Sequence, residues 1–318
     1  ISMASNDIDA VKKTYTEVLG LAQPIRSTYY EKGRYREHSL MIDDFLLELL
    51  QPLDPPEAPG PGGGMARFLR QRGEGLYLIT VGMGDDSDRY SKRLESKGVK
   101  IYWDVPDSGK VGGGLEKPLR PEVANRVHPL IHPRHTNGVL WELGRYYPDI
   151  VREKASPSNA FKKCMAISIV CKDNNEALKT YTEVLELDPL VRSTAYEKAG
   201  YKEHTLAIGD ICLQLLQPTG GPDALGRGGD MTRVLRERGE GLYAVTVDVD
   251  DPEKYAKGLE AKGVKIYWDV PDSGAVVSGP NKPARPAVAD RVHPLIHPKY
   301  THGVLWELDR FGTPPLTV

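Results

Sequence analysis

Two acids in this chain sit where acids are costly. Glu48 lies in the run LLELL and Glu142 in VLWEL, and strand alternation puts them on the faces of Leu46, Leu50 and Leu140. A carboxylate on an apolar, inward face costs several kcal/mol unless it is paired, hydrogen-bonded or on a metal. Both are therefore candidates for catalysis or metal ligation, against a plainer reading in which they face solvent at a domain seam or pair with an arginine such as Arg26 or Arg126. The same positions recur later in the chain as Gln214 and Glu307. HPLIHP supplies His128 and His132, echoed by His293 and His297. Histidines four apart in a strand share a face, which suits a metal or acid–base pair beside the acid of the neighbouring strand; the competing reading is a turn element. The catalytic candidates are Glu48, Glu142, Gln214, Glu307, His128 and His293. For substrate contact, IYWDVPDSG occurs twice and offers Tyr102, Trp103, Tyr267 and Trp268 for stacking or core packing. Arg120 and Arg285 stand in RP pairs on Gly/Pro-rich segments and suit a substrate carboxylate. His38 and His204 belong on the opposite face: a two-residue turn after each sets Glu48 across from Ser39, which makes these histidines structural.

The elements that position these residues come in duplicate. YTEVL…RSTYYEKGRYREHSLMIDDFLLELLQP, from Tyr15 to Pro52, returns from Tyr181 to Pro218, and RVHPLIHP…GVLWEL, from Arg126 to Leu143, returns from Arg291 to Leu308. A repeat of half the chain is too long for a solenoid, and each half has the length of a compact domain. Two related domains are expected, at residues 1–150 and 161–318, joined by a polar linker at 151–160. Within a half the pattern is strand, helix, three strands, and then a looser copy of the same. DNNEALKTYTEVLEL reads as a helix with Asp173 as N-cap. GLYLITV opens the second module, and the helix after it ends at Gly98. The predicted class is α+β, with four βαβββ modules forming two cup-shaped mixed sheets, helices outside, each cup a natural ligand pocket. The segments PPEAPGPGGG and GKVGGGLEKPLRP lack the GK[ST] of a phosphate loop and are expected to cover the cups.

A formal net charge of −2 points to neither nucleic acid nor an anionic membrane, and no apolar run is long enough to span a bilayer. Cys164, Cys171 and Cys212, all in the second half, make a poor disulfide framework, so a reducing cytoplasm is expected. No signal peptide is visible at the start. Ile1 matches Ile167, so residues matching Cys164 to Ala166 are expected to have preceded it.

Three segments in fixed order, twice over, carry a family resemblance: DNNEALKTYTEVLEL, FLRQRGEGLYLITV from Phe68, and IHPRHTNGVLWEL from Ile131. The chain resembles the vicinal oxygen chelate superfamily of glyoxalases, bleomycin-resistance proteins, extradiol dioxygenases and methylmalonyl-CoA epimerases, most of all its epimerase-like members. That resemblance implies a divalent ion in the cup, held by His, Gln or Glu from four strands, acting as a Lewis acid on an enolising substrate. Matched position by position, the first-strand histidine falls on Ala166, the third ligand falls on Leu78 and Ala244, and oxygen ligands remain at Glu48 or Gln214 and at Glu142 or Glu307. Two oxygen donors without imidazole leave a weakly held magnesium, manganese or zinc ion, or no cofactor, and disfavour a dioxygenase. The implied function is a lyase- or isomerase-type enzyme acting on a small carbonyl- or hydroxyl-bearing compound. The alternative is a metal-free small-molecule binding protein of the bleomycin-resistance type. The expected assembly is a monomer with an internal pseudo-dimer, or a homodimer.

Overall fold

The computed structural model describes residues 1–42, 45–83, 86–103, 109–114, 128–144, 160–224, 226–269, 274–278 and 293–310. The chain divides into two compact units. One comprises Ile1–His135, Val139–Phe161 and Thr301–Gly303, and the other Thr136–Gly138, Lys162–Tyr300 and Val304–Val318. The expected linker, apart from Ala160, lies outside the described residues.

The first unit runs β1 (Ser2–Ala4), α1 (Ile8–Lys13, continued by a π-helical turn over Thr14–Val18), β2 (Arg26–Tyr30), β3 (Tyr35–Ile42), β4 (Phe45–Pro52), α2 (Gly60–Arg72), β5 (Gly75–Gly82), α3 (Ser87–Ser96), β6 (Ile101–Trp103), β7 (Lys110–Gly114), β8 (Pro129–Ile131) and β9 (Leu140–Gly144). The second repeats this as β10 (Lys163–Val170), α4 (Asn174–Lys179, continued over Thr180–Val184), β11 (Arg192–Tyr196), β12 (Tyr201–Ile208), β13 (Ile211–Pro218), α5 (Arg227–Arg238), β14 (Gly241–Asp248), α6 (Pro252–Ala261), β15 (Ile266–Trp268), β16 (Ala275–Ser278), β17 (Pro294–Ile296) and β18 (Leu305–Asp309). Asp7 and Asp173 cap α1 and α4 by accepting two backbone N–H bonds each, as read for Asp173 from the sequence.

Among the described residues each unit holds one nine-stranded mixed sheet, ordered β6-β8-β9-β5-β1-β4-β3-β2-β7 in the first and matched strand for strand in the second. The class is α+β, as expected. Two four-stranded modules, β1-β4-β3-β2 and β5-β9-β8-β6, join through the antiparallel pair β1 and β5. The topology forces the curvature. A flat nine-stranded sheet would hold its outer strands about 38 Å apart, at roughly 4.8 Å per spacing. Yet β6 and β7, the two ends of the sheet, are joined by residues 104–109 alone, about 25 Å even if fully extended. The sheet must curl into a cup.

Strand β7 is a departure from the expected pattern. GKVGGG was read as part of a covering loop, but it pairs antiparallel with β2 from Tyr29↔Lys110 to Arg26↔Gly114. Likewise the end of PPEAPGPGGG opens α2, whose first turn tolerates Pro61 because an N–H at that position would have no helical partner to lose.

The two sheet faces differ. One carries Met3, Leu40, Leu47, Leu49, Ile79, Trp141 and Leu143, all buried, beneath α1 and α3. His38 shares that side: its Nε2 lies 3.1 Å from Asp9 of α1, and its Nδ1 lies 2.7 Å from Ser27 Oγ. The other face is the inside of the cup. At one end it is apolar, with Tyr30 stacked on Tyr35 and with Leu50, Met65 of α2 and Leu78 packed together. The rest of it is polar, and there the candidate residues stand.

Candidate functional site

The register of the first sheet lines up one rung across the cup: Arg26 of β2 faces Ser39 of β3, Ser39 faces Glu48 of β4, Glu48 faces Ser2 of β1, and Ser2 faces Leu78 of β5. The predicted Ser39↔Glu48 pair is present, and with it the placement of His38 on the far face. Ser2 Oγ donates to Glu48 Oε2 at 2.5 Å. Glu37 shares the face two residues before Ser39, whose hydroxyl donates to its Oε1 at 2.6 Å, while Arg26 Nε donates to Thr28 Oγ1 at 2.8 Å. Arg26, Glu37, Ser39 and Glu48 are all buried. The alternation that put Glu48 inside puts Glu37 there too, two positions before its cross-strand partner.

Further round the cup, Glu142 of β9 pairs with Thr80 of β5. The Thr80 hydroxyl donates to Oε2 at 3.2 Å, and the other carboxylate oxygen lies 3.6 Å from Nδ1 of half-buried His128. Glu142 is only 3 % exposed, so the carboxylate meets the imidazole out of bulk water. In the sheet order Glu142 is three spacings from Glu48, about 14 Å along the strands' normal before curvature.

The equivalent rung of the second cup reads Arg192, Thr205, Gln214, Ser168, Ala244. Ala166, the position matched to the first metal-binding histidine, lies opposite Cys212, and Ser168 faces Gln214. Ser168 Oγ donates to Gln214 Oε1 at 2.8 Å, and Gln214 Nε2 donates to Glu203 Oε1 at 3.2 Å. The larger difference was missed in the sequence. Arg227, the first residue of α5, sends its guanidinium bidentately onto Glu307 at 3.1 and 3.0 Å, with Thr246 Oγ1 donating to the same carboxylate at 2.8 Å. Both partners are buried. Burial pulls the Arg227 pKa down, but the Glu307 carboxylate against it holds it well above the usual guanidinium value. The matching position in the first unit is Pro61. With Glu307 so engaged, His293 Nδ1 lies instead 3.5 Å from Asp309, where the first unit has Gly144.

The remaining candidates stand elsewhere. His132 and His297 are turn elements, their Nδ1 atoms accepting from the backbone N–H of Arg134 and Lys299 at 3.0 Å each. Tyr102 and Tyr267, on the edge strands β6 and β15, stack on those histidines at 4.9 and 4.7 Å. Trp103 is exposed, and Trp268 Nε1 donates to Glu260 of α6 on the helical side. Arg120 and Arg285 lie outside the described residues.

The donors do not fit the divalent ion that the resemblance implies. In the second cup Glu307 is engaged by Arg227 on both oxygens, and among the described residues no three His, Cys, Asp or Glu side chains converge as a metal requires.

The family model described as the Glyoxalase/Bleomycin resistance protein/Dioxygenase superfamily matches residues 1–114 and again 164–273. The chain belongs to that superfamily. The fold is similar to that of a triple mutant of 4-hydroxymandelate synthase from Streptomyces coelicolor, with a TM-score of 0.63 at 12 % identity, covering 99 % of this chain and 93 % of that one. Two further structures cover about half of the chain. Methylmalonyl-CoA epimerase from Mycobacterium tuberculosis has 22 % identity and a TM-score of 0.37 over 48 % of this chain and 91 % of that one. A methylmalonyl-CoA epimerase from Streptomyces coelicolor has 25 % identity and a TM-score of 0.38 over 48 % and 97 %. No curated protein matches. Among the described residues no helix is long and apolar enough to cross a membrane.

Proposed function

We propose that the first cup is a proton-transfer site of the lyase or isomerase type, acting on a small organic compound that carries a carbonyl or hydroxyl group. The observation that carries this reading is the pair of Glu142 and His128, a buried carboxylate with one oxygen fixed by Thr80 and the other turned to an imidazole 3.6 Å away. General acid–base catalysis needs such a pair at the wall of a pocket. Glu142 Oε1 takes a proton from carbon next to the substrate carbonyl, and His128 carries it to the atom that is reprotonated. Arg26, buried on the rung of Glu48, supplies positive charge for the oxygen that becomes electron-rich. Glu48, anchored by Ser2, orients the substrate's hydroxyl or its second oxygen. No step runs through a metal, because among the described residues the donors do not converge on one.

The test is exchange of carbon-bound hydrogen for deuterium, followed by NMR, across a panel of small oxo and hydroxy acids and their thioesters. The wild-type protein exchanges at least one of them, and Glu142→Gln lowers that rate by about 10²-fold or more with binding retained. Exchange unchanged in both Glu142→Gln and His128→Asn would sink the proposal. A chelator leaves the rate unchanged. Ligand binding without chemistry is the second reading, and one observation favours it for the second cup: Arg227 already neutralises the acid there.

A further inference from the structure

The second cup contains buried polar atoms that nothing in the described chain satisfies. Arg227 Nε, Thr194 Oγ1 and Glu203 Oε2 are all buried without a hydrogen-bond partner among the described residues. In the first cup the counterpart of Thr194 is engaged, Thr28 Oγ1 accepting from Arg26 Nε. Thr194 and Glu203 face each other across β11 and β12, and the other Glu203 oxygen is already taken by Thr205 and Gln214. Arg227 reaches the same region. Its guanidinium carbon lies 6.0 Å from the ring of Tyr201, on β12 two residues before Glu203, while its nitrogens hold Glu307 on β18. Those strands have three others between them in the sheet, so the guanidinium bridges the hollow of the cup rather than lying along its wall. Two of its five N–H groups are committed to Glu307.

Unsatisfied donors and acceptors held out of water are costly, and a set of them around one hollow marks the outline of something polar that fits there. The set has a definite chemistry: a cation with spare donors, a hydroxyl, and a carboxylate oxygen in want of a donor. Compared with the first cup, a negative charge is removed where Gln214 replaces Glu48 and a positive one added where Arg227 replaces Pro61, while Asp309 returns one negative charge beside His293. We propose that the second cup is a metal-independent binding site for a small hydroxylated organic anion, with Arg227 as the resident cation in place of a divalent ion. The ligand's carboxylate lies on the spare N–H groups of Arg227, and its hydroxyl donates to Glu203 Oε2. The proposal rests on the second reading above, ligand binding without chemistry in the second cup, and adds the class of ligand and the cation that receives it.

Calorimetric titration of the full chain in EDTA with L-lactate, L-malate and glycerate tests it. At least one probe binds wild-type protein without metal, and the paired substitution Arg227→Met with Glu307→Gln, which removes both charges together, weakens that binding at least tenfold. Hydrogen exchange in the first cup is read separately by NMR, so the chemistry proposed there can fail on its own. If the paired variant does not fold, Arg227→Lys keeps the charge but loses the planar fork, and it too weakens binding. Failure of every probe to bind, dependence of binding on added manganese, or wild-type affinity in whichever variant folds would overturn the proposal.

Discussion

His38 and His204 hold equivalent structural places on the side of the sheet away from the cup. Both face the helices, one between Ser27 and Asp9, the other between Ser193 and Asn175. Burial, the largest cause, lowers the pKa of each below the ordinary 6.5. The unfolded chain therefore binds the proton first as pH falls, and stability drops from about pH 6.5 downward until the folded-state values are reached. Urea midpoints are expected to be lower at about pH 5.5 than at about pH 7.5, and His38→Gln with His204→Gln to flatten that slope. A slope equal to wild type in the double variant would assign the loss to other groups. Arg227 makes a second residue-scale prediction. Arg227→Met alone leaves Glu307 as an uncompensated buried charge and costs about 3–5 kcal/mol, whereas adding Glu307→Gln recovers most of it, read from urea unfolding. The sequence showed Glu48, Glu142 and Glu307 because an acid in an apolar strand is conspicuous. It hid Arg227 because an arginine in a Gly-rich stretch looks solvated, and its partner lies at position 307, far away in the chain and visible only once the sheet has curled.

At the scale of elements, α2 and α5 close the apolar end of each cup, and their glycines have unequal duties. A Cβ on Gly63 would stand 1.9 Å from the carbonyl oxygen of Ala58, and one on Gly229 would stand 2.0 Å from that of Ala224. Both contacts are with backbone, which cannot give way cheaply. A Cβ on Gly64 would meet nothing closer than the Tyr77 hydroxyl at 3.6 Å. Gly63→Ala is expected to destabilise the protein by about 2 kcal/mol or more, and Gly64→Ala to be neutral or to stabilise it by up to about 1 kcal/mol, measured by thermal unfolding. Equal effects would mean that α2 shifts freely on the sheet. Hairpin β3–β4 was legible down to its pairing, since alternation and a two-residue turn leave one register. Strand β7 was not, because KVGGG has no alternation to read and earns its strand geometry only by pairing with β2.

For the molecule as a whole, duplication has produced two cups of one topology and different charge, each ending in a strand that little secures. Strands β7 and β16 are almost wholly exposed, the first with Val111 as its single apolar side chain, and among the described residues each is joined to the sheet by a single ladder. Little apolar burial secures them, so they belong to the low-stability end of the structure. Their amides are expected to exchange with deuterated solvent faster than those of β3 and β12, under conditions where the fold stays intact. Uniform protection across each sheet would contradict this. The consequence is architectural in the builder's sense. Each vessel is a curled wall whose end stave is the least secured, so opening that begins there leaves the rest of the wall standing.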